Sequence, residues 1–308
     1  MPTVYISHNS CEKHIAGEEH PEAPERIGAI QNRLIAGQMA DFLRWIDAEP
    51  ATREQLVATH DPDYVDAIFA RAPQQDRVEL DSDTFMMPHT LAAALHAAGS
   101  VIQAVDFVMA EQFNNAFCAV RPPGHHAEYD RAMGFCIFNN VAVGARHAIN
   151  HHGLDRVAIV DFDVHHGNGT EHIFRQEPKV LYASSYQHPY YPFSDPGKSH
   201  DNMVHMPLSA GSGSAEFRQA IGKHLLPALD AFQPQLLMVS AGFDAHKQDP
   251  LAQLRLQDAD YAWITDELMQ VADRHCGGKL VSVLEGGYDL DALGRAAFAH
   301  IRCLMGLG

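Results

Sequence analysis

The sequence is short of several features that would assign its class at once. None of its five cysteines (Cys11, Cys118, Cys136, Cys276 and Cys303) stands in C-x-x-C spacing, and their number is odd. That argues against a disulfide framework and predicts reduced thiols in a cytoplasmic compartment. Basic residues are scarce, with 22 Lys+Arg against 39 Asp+Glu and a formal charge of −17. This balance disfavours nonspecific nucleic-acid binding and favours cationic ligands. The longest apolar stretch, Leu91 to Ala110, is interrupted by His96, Gln103 and Asp106. It reads as a helix packed in a core, so no membrane span is expected. The opening residues, from Met1 to His8, carry neither a basic n-region nor a long apolar h-region, so no signal peptide is expected. There is no internal repeat and no low-complexity linker. The 308 residues, 46% hydrophobic, are therefore expected to form one domain spanning 1–308.

What is present is an alternation. Strands are predicted at Thr3–Ser7, Ala116–Val120, Arg156–Phe162, Val180–Ser184, Leu236–Ser240 and Lys279–Leu284. Helical patterns fall between them, at Ala23–Ile35, Asp63–Arg71, His89–Ala110, Val141–Asn150, Ala215–Phe232, Asp258–His275 and Asp291–Met305. Strands separated by helices imply βαβ units and an α/β fold, an open parallel sheet covered on both faces. The segment Tyr186–His205, rich in Tyr, Pro, Ser and Asp, is expected to be a long surface loop, a length that more often serves function than not.

Four of the strands run into polar residues. The apolar run 157–160 meets Asp161, Asp163, His165 and His166; the run 117–120 leads to Gly124, His125 and His126. Residues 236–240 lead to Gly242 and Asp244, and residues 280–284 to Glu285, Gly286, Gly287 and Tyr288. In a parallel sheet all four ends open on one rim, where α/β proteins bind ligands. If the chain stays extended past residue 160, Asp161, Asp163 and His165 point the same way. Acids and an imidazole converging there are costly without a cation or a hydrogen-bond network. Asp163, His165 and Asp244 would offer two oxygens and one nitrogen and leave positions open, as in a catalytic metal site. Zn²⁺ fits this set, and Fe²⁺ or Co²⁺ are also compatible. Taken alone, Asp244 could equally be a turn residue after a strand. His125 and His126 suit acid–base work, and each needs a partner to fix its tautomer. Asp161 and Asn168 are the candidates. Tyr288, after two glycines, could present its hydroxyl to an oxyanion.

With these motifs in view, the sequence resembles the arginase/deacetylase superfamily, and within it the bacterial histone deacetylase-like amidohydrolases of class II type. The likeness runs from His20-Pro21-Glu22, through Pro24-Glu25-Arg26, to Glu285-Gly286-Gly287-Tyr288. It implies an open sheet of about eight strands in a single domain and Zn²⁺-dependent hydrolysis of an N-acetyl amide. It implies Asp163, His165 and Asp244 as metal ligands, and His125 paired with Asp161. It implies His126 as general base, paired with Asn168, and Tyr288 polarising the carbonyl. Gly134 and Phe135 resemble residues lining an acyl-lysine tunnel, with Tyr190 or Tyr191 as the opposite wall. Asp161, Asp163 and His165 resemble contributors to a structural K⁺ site, and Arg26 an arginine beneath the active site with a lining or structural role. The residue gripping the substrate backbone would be one of Asp81, Ser82 and Asp83.

Departures from the family pattern sort among relatives. Asn168 stands where class I enzymes carry aspartate. Leu251, after Asp249-Pro250, stands at the gatekeeper position where polyamine deacetylases carry glutamate. Phe162 replaces a tryptophan between the two aspartates. His246 occupies the place where a dinuclear site would want a carboxylate, which favours one metal. The substrate is expected to be an acetylated lysine peptide or a small acetylated amine, with no nucleic-acid or membrane partner. A homo-oligomer would be in keeping with the superfamily. The rival readings are an acetylpolyamine amidohydrolase, a deacylase of other small amides, and a catalytically silent metal-dependent binding protein.

Overall fold

The computed structural model describes residues 3–17, 20–194 and 200–307. Among the described residues ten strands form: β1 Val4–Ser7, β2 Arg44–Asp47, β3 Val78–Asp81, β4 Thr84–Met86, β5 Asn115–Cys118, β6 Val157–Asp161, β7 Val180–Gln187, β8 Met203–Leu208, β9 Leu236–Ala241 and β10 Leu280–Leu284. Eight make one sheet in the order β2-β1-β5-β10-β9-β6-β7-β8, every pairing parallel, while β3 and β4 form a separate antiparallel hairpin. The fold is the α/β open parallel sheet that the alternation predicts.

The central strands are buried along their whole length. That is why they read as continuous apolar runs, as strands covered on both faces do. Helices Thr90–Met109 and Asn140–Asn150 pack on each other, and Glu25–Ala36, Asp258–Val271 and Leu290–Leu304 form a second group. Thr90–Met109 is, among the described residues, the one helix long and apolar enough to cross a membrane, and 61% of its apolar window is buried within this fold.

Two sheet strands escaped prediction, and both lie at edges. β2 is largely exposed and β8 mixes buried residues with partly or fully exposed ones, so neither shows an apolar run. The predicted loop Tyr186–His205 is shorter than expected, because β7 continues to Gln187 and β8 begins at Met203. The helix predicted over Ala215–Phe232 is continuous only through a π-turn at Ile221–Leu225, where Pro227 in the following turn has no N–H to give to an α-helical bond.

The strand order places the site. β5, β10, β9 and β6 are consecutive neighbours. Their four polar C-terminal ends therefore lie side by side, although they are far apart in the chain.

Candidate active site

β6 closes at Asp161, and the chain then bends instead of continuing extended. The predicted alternation therefore does not aim three groups at one point. Asp161 turns to His125, whose Nδ1 lies 2.9 Å from Asp161 Oδ2, and to the Tyr182 hydroxyl, which donates to the same oxygen at 2.9 Å. Asp163 and His165 instead converge with Asp244 from the end of β9. His165 Nδ1 is 3.0 Å from Asp163 Oδ1 and 3.1 Å from Asp244 Oδ2. Backbone amides hold both acids: Gly286 N donates to Asp163 Oδ2 at 2.8 Å, and Val164 N to Asp244 Oδ1 at 2.9 Å. Only glycine fits at 286, since a Cβ there would overlap the carboxylate oxygens of Asp244 and Asp163.

This trio fits a divalent cation. One ligand atom from each residue lies within 4.8 Å of the others, and Asp244 Oδ2 is buried and, among the described residues, has no well-aligned hydrogen bond. Burial and the neighbouring Asp163 charge push the Asp244 carboxyl up. Burial alone would lower His165, yet the two carboxylates push it up to about 10. The site thus demands a positive charge between two acids, which a proton or a metal ion can supply. His246, in the place of a second carboxylate, turns away to Asp258, with Nε2 3.1 Å from Oδ1.

The histidine pair is divided by its partners. Burial opposes a charged His125, but Asp161 and Asp163 raise it well above its ordinary value. Burial, then the charges of His125 and His165, lower His126 well below its own. His126 Nδ1 meets Asn168 Oδ1 at 2.8 Å, and Asn168 Nδ2 donates to Glu128 Oε1 at 2.7 Å.

A cavity of about 170 Å³ opens above these groups, lined by Asp83, His126, Gly134, Phe135, His165, Tyr190, Tyr191, Leu251 and Tyr288. Tyr191 meets the His126 ring edge-on at 5.2 Å and Tyr190 stacks on His165 at 5.7 Å. Of the three acid-loop candidates only Asp83 reaches the cavity; its Oδ1 accepts from Gly134 N at 3.0 Å, while Asp81 Oδ1 accepts from Ser82 N. Gly134 and Phe135 both hold positive φ, +57° and +68°, and Thr84 Oγ1 accepts from Phe135 N at 2.9 Å. Strain of this kind collects at ligand sites. The β3–β4 hairpin, unseen in the sequence, thus clamps one wall.

Several positioning residues lie beneath. Arg26 is buried and does not line the cavity. Its Nε donates to Gly287 O at 2.7 Å, and its guanidinium sits 5.0 Å from the Tyr288 ring centre. Glu22 joins Arg26 at 2.9 Å and Arg121 at 2.7 Å. Glu285 Oε2 accepts from Gly124 N at 2.7 Å and His125 N at 3.1 Å, so one carboxylate carries the histidine loop. Asp249 Oδ2 accepts from Tyr288 N at 2.7 Å and Asp249 Oδ1 from Leu251 N at 3.0 Å. An acid before a proline is a turn signal, and an acid ending a buried strand is unusual; these were the cues available for Asp249 and Glu285.

Comparison with known proteins agrees with this architecture. The histone deacetylase domain profile matches residues 20–304. The chain belongs to the histone deacetylase family. It is 37% identical to the histone deacetylase-like amidohydrolase of Pseudomonas aeruginosa, over 89% of this chain and 73% of that one. It is 37% identical to the mouse polyamine deacetylase HDAC10 over 92% of this chain, which spans 45% of that longer protein. A crystal structure of the HDA15 HD domain superposes with a TM-score of 0.93 at 34% identity, covering 100% of this chain and 90% of that one. Histone deacetylase-family proteins of this kind are deacetylases and amidohydrolases, hydrolysing acyl amides, and the open eight-stranded sheet is shared with that neighbour.

Proposed function

We propose that the protein is a zinc-dependent deacetylase whose substrate is an acetylated lysine side chain of a protein or peptide. The observation that carries this reading is the cavity of about 170 Å³, where Phe135, Tyr190, Tyr191 and Leu251 stand beside His126, His165 and Tyr288. Such a slot suits an unbranched aliphatic stem with its amide at the bottom.

Asp163, His165 and Asp244 would hold the metal; two carboxylates and an imidazole suit Zn²⁺, and Fe²⁺ or Co²⁺ as substitutes. The chemistry supplied by the bound metal is Lewis-acid polarisation of the scissile carbonyl and acidification of the attacking water. Glu128 orients the Asn168 amide so that its oxygen faces His126. His126 Nδ1 therefore donates, and Nε2 carries a lone pair free to accept a proton from water. Neutral His126 fits this role, a general base being worth about 10²–10⁴ in rate. His125, kept cationic by Asp161, favours negative charge developing nearby. The Tyr288 phenol, raised well above its ordinary pKa by burial and by Asp244, stays protonated and donates to the oxyanion. A histidine returns the proton to the leaving amine. A potassium ion beside Asp161, Asp163 and His165 and a cytoplasmic location belong to the same proposal, the second in keeping with five buried, unpaired cysteines.

The test is turnover of acetyl-lysine peptides, acetylspermidine and acetylputrescine by kcat/KM, before and after chelation and zinc return. The expected result is chelator-sensitive hydrolysis that prefers peptides. A tenfold preference for the polyamines would make this protein a polyamine deacetylase, as the name of its mouse relative says of that one. No turnover of any acyl amide with metal present would leave only a metal-dependent binding protein. Asp163→Ala and Asp244→Ala should each abolish hydrolysis and lower metal content; full metal and full activity in either would remove these residues from the ligand set.

A further inference from the structure

Behind the catalytic rim lies another convergence of imidazole and carboxylate. His166 comes from the turn after β6, Glu171 from the helix Asn168–Phe174, and His205 from β8. One ligand atom from each of the three lies within 4.8 Å of the others. His166 Nε2 is 2.8 Å from Glu171 Oε2, and His205 Nε2 is 3.6 Å from the same oxygen. All three atoms are buried, and none makes a well-aligned hydrogen bond among the described residues. Buried polar atoms are normally satisfied, and three orphans facing one point are costly.

The far side of each ring is different. His166 Nδ1 lies 2.6 Å from Ser194 Oγ, and His205 Nδ1 3.4 Å from the Tyr186 hydroxyl. Each imidazole thus rests its outer nitrogen on a hydroxyl oxygen and points its inner nitrogen at Glu171. Metal-bound histidines show this division, one nitrogen on the ion and the other fixed by an oxygen.

We propose that His166, Glu171 and His205 form a second metal site, separate from Asp163, His165 and Asp244, that takes Zn²⁺ or a similar first-row divalent cation. Two imidazoles and one carboxylate suit zinc and disfavour Ca²⁺ and Mg²⁺, which seek oxygen. Tetrahedral ligands at 2.0–2.1 Å stand about 3.3 Å apart. The 2.8 and 3.6 Å observed to Glu171 bracket that spacing, and the two imidazoles lie within the 4.8 Å limit of each other. A simple ion pair between His166 and Glu171 leaves His205 Nε2 buried and, among the described residues, without an aligned hydrogen bond, and so accounts for less. None of the site's three residues lines the cavity, so the site would act by holding elements together. It would tie the turn after β6, the following helix and β8 together at the base of the segment that carries Tyr190 and Tyr191, and so would steady one wall of the cavity.

A surface group of Asp106, His147, His151 and His152 also has metal-like spacing. Its Asp106 Oδ1, however, already accepts from the Nε2 atoms of His147 and His152, each at 2.7 Å. It is a metal sink to be removed from the experiment. The full chain carrying His147→Gln and His152→Gln is stripped with chelator, reloaded with Zn²⁺ by dialysis, and its zinc counted by plasma mass spectrometry. About two equivalents are expected, falling to about one on adding His205→Asn or Glu171→Gln, while deacetylase turnover persists. An unchanged count in both would overturn the proposal, as would a single equivalent before either is made. A second measurement does not alter the proposed ligands. Asp244→Ala in the same background, loaded with Co²⁺, should keep the visible absorption of a tetrahedral site, and a colourless protein would overturn the proposal as well.

Discussion

His126 and Asn168 are joined by a 2.8 Å hydrogen bond whose direction is dictated by a third residue, because Glu128 can only accept from the Asn168 amide nitrogen. A neutral amide therefore fixes the imidazole tautomer without adding charge. Asn168→Asp would replace that amide with an anion beside His126. An anion stabilises imidazolium, so the His126 pKa rises and the unprotonated base appears only at higher pH. The acidic limb of the kcat/KM profile should move up by about 1–3 pH units. An unmoved limb would show that Asn168 does not tune the catalytic base.

Tyr288 is placed by backbone contacts on either side: its own N–H donates to Asp249, and the preceding Gly287 carbonyl accepts from Arg26. Tyr288→Phe leaves that frame and removes only the hydroxyl. kcat should fall by about 10²–10³, with KM little changed. Steady-state kinetics that differ from wild type by less than a few-fold would make Tyr288 a packing residue.

Glu22 carries a prediction about stability. Burial would raise its pKa, but Arg121, His14 and Arg26 hold it well below the ordinary carboxylate value. A depressed folded pKa stabilises the fold above the unfolded value, and that stability disappears as pH falls through the folded value. Glu22→Gln leaves two buried guanidiniums without their anion and should cost about 3–5 kcal/mol at neutral pH. It should also flatten the loss of stability on acidification. Denaturant melts at several pH values would read both effects, and an unchanged midpoint at pH 7 would contradict them.

Leu251 lines the cavity and is anchored through its own backbone, its N–H to Asp249 and its carbonyl to the Tyr190 hydroxyl. The side chain is therefore free to vary. It offers no counter-charge to the extra ammonium groups of a polyamine. Leu251→Glu should raise kcat/KM for acetylpolyamines relative to peptides by about ten- to hundredfold, the worth of about 1–3 kcal/mol. An unaltered ratio would place specificity elsewhere on the rim.

Much of this site was legible because its residues end buried strands. An apolar run that stops at Asp161, Ser240 or Glu285 marks a polar rim whatever the fold around it. The residues that steady the site were harder to read. Glu128 acts on His126 through an intervening amide, and Asp249 acts on Tyr288 through a backbone N–H 39 residues away, so neither leaves a local pattern. The edge strands β2 and β8 were missed for a related reason. A strand exposed on one side needs no unbroken apolar run, and without one its short polar sequence looks like loop. The β3–β4 hairpin is short, yet its turn gives Asp83 to the cavity lining and Thr84 accepts from the Phe135 N–H behind it.

The position of β10 has a consequence for how the molecule is made. Among the described strands it comes last in chain order, yet it lies in the middle of the sheet between β5 and β9. Until residues 280–284 leave the ribosome, β2-β1-β5 and β9-β6-β7-β8 are two fragments, each with a bare inner edge of unpaired backbone. Such edges invite pairing with other chains. Synthesis in chain order therefore leaves both edges open until β10 pairs with them, and the same pairing brings Glu285, Gly286 and Tyr288 to their partners.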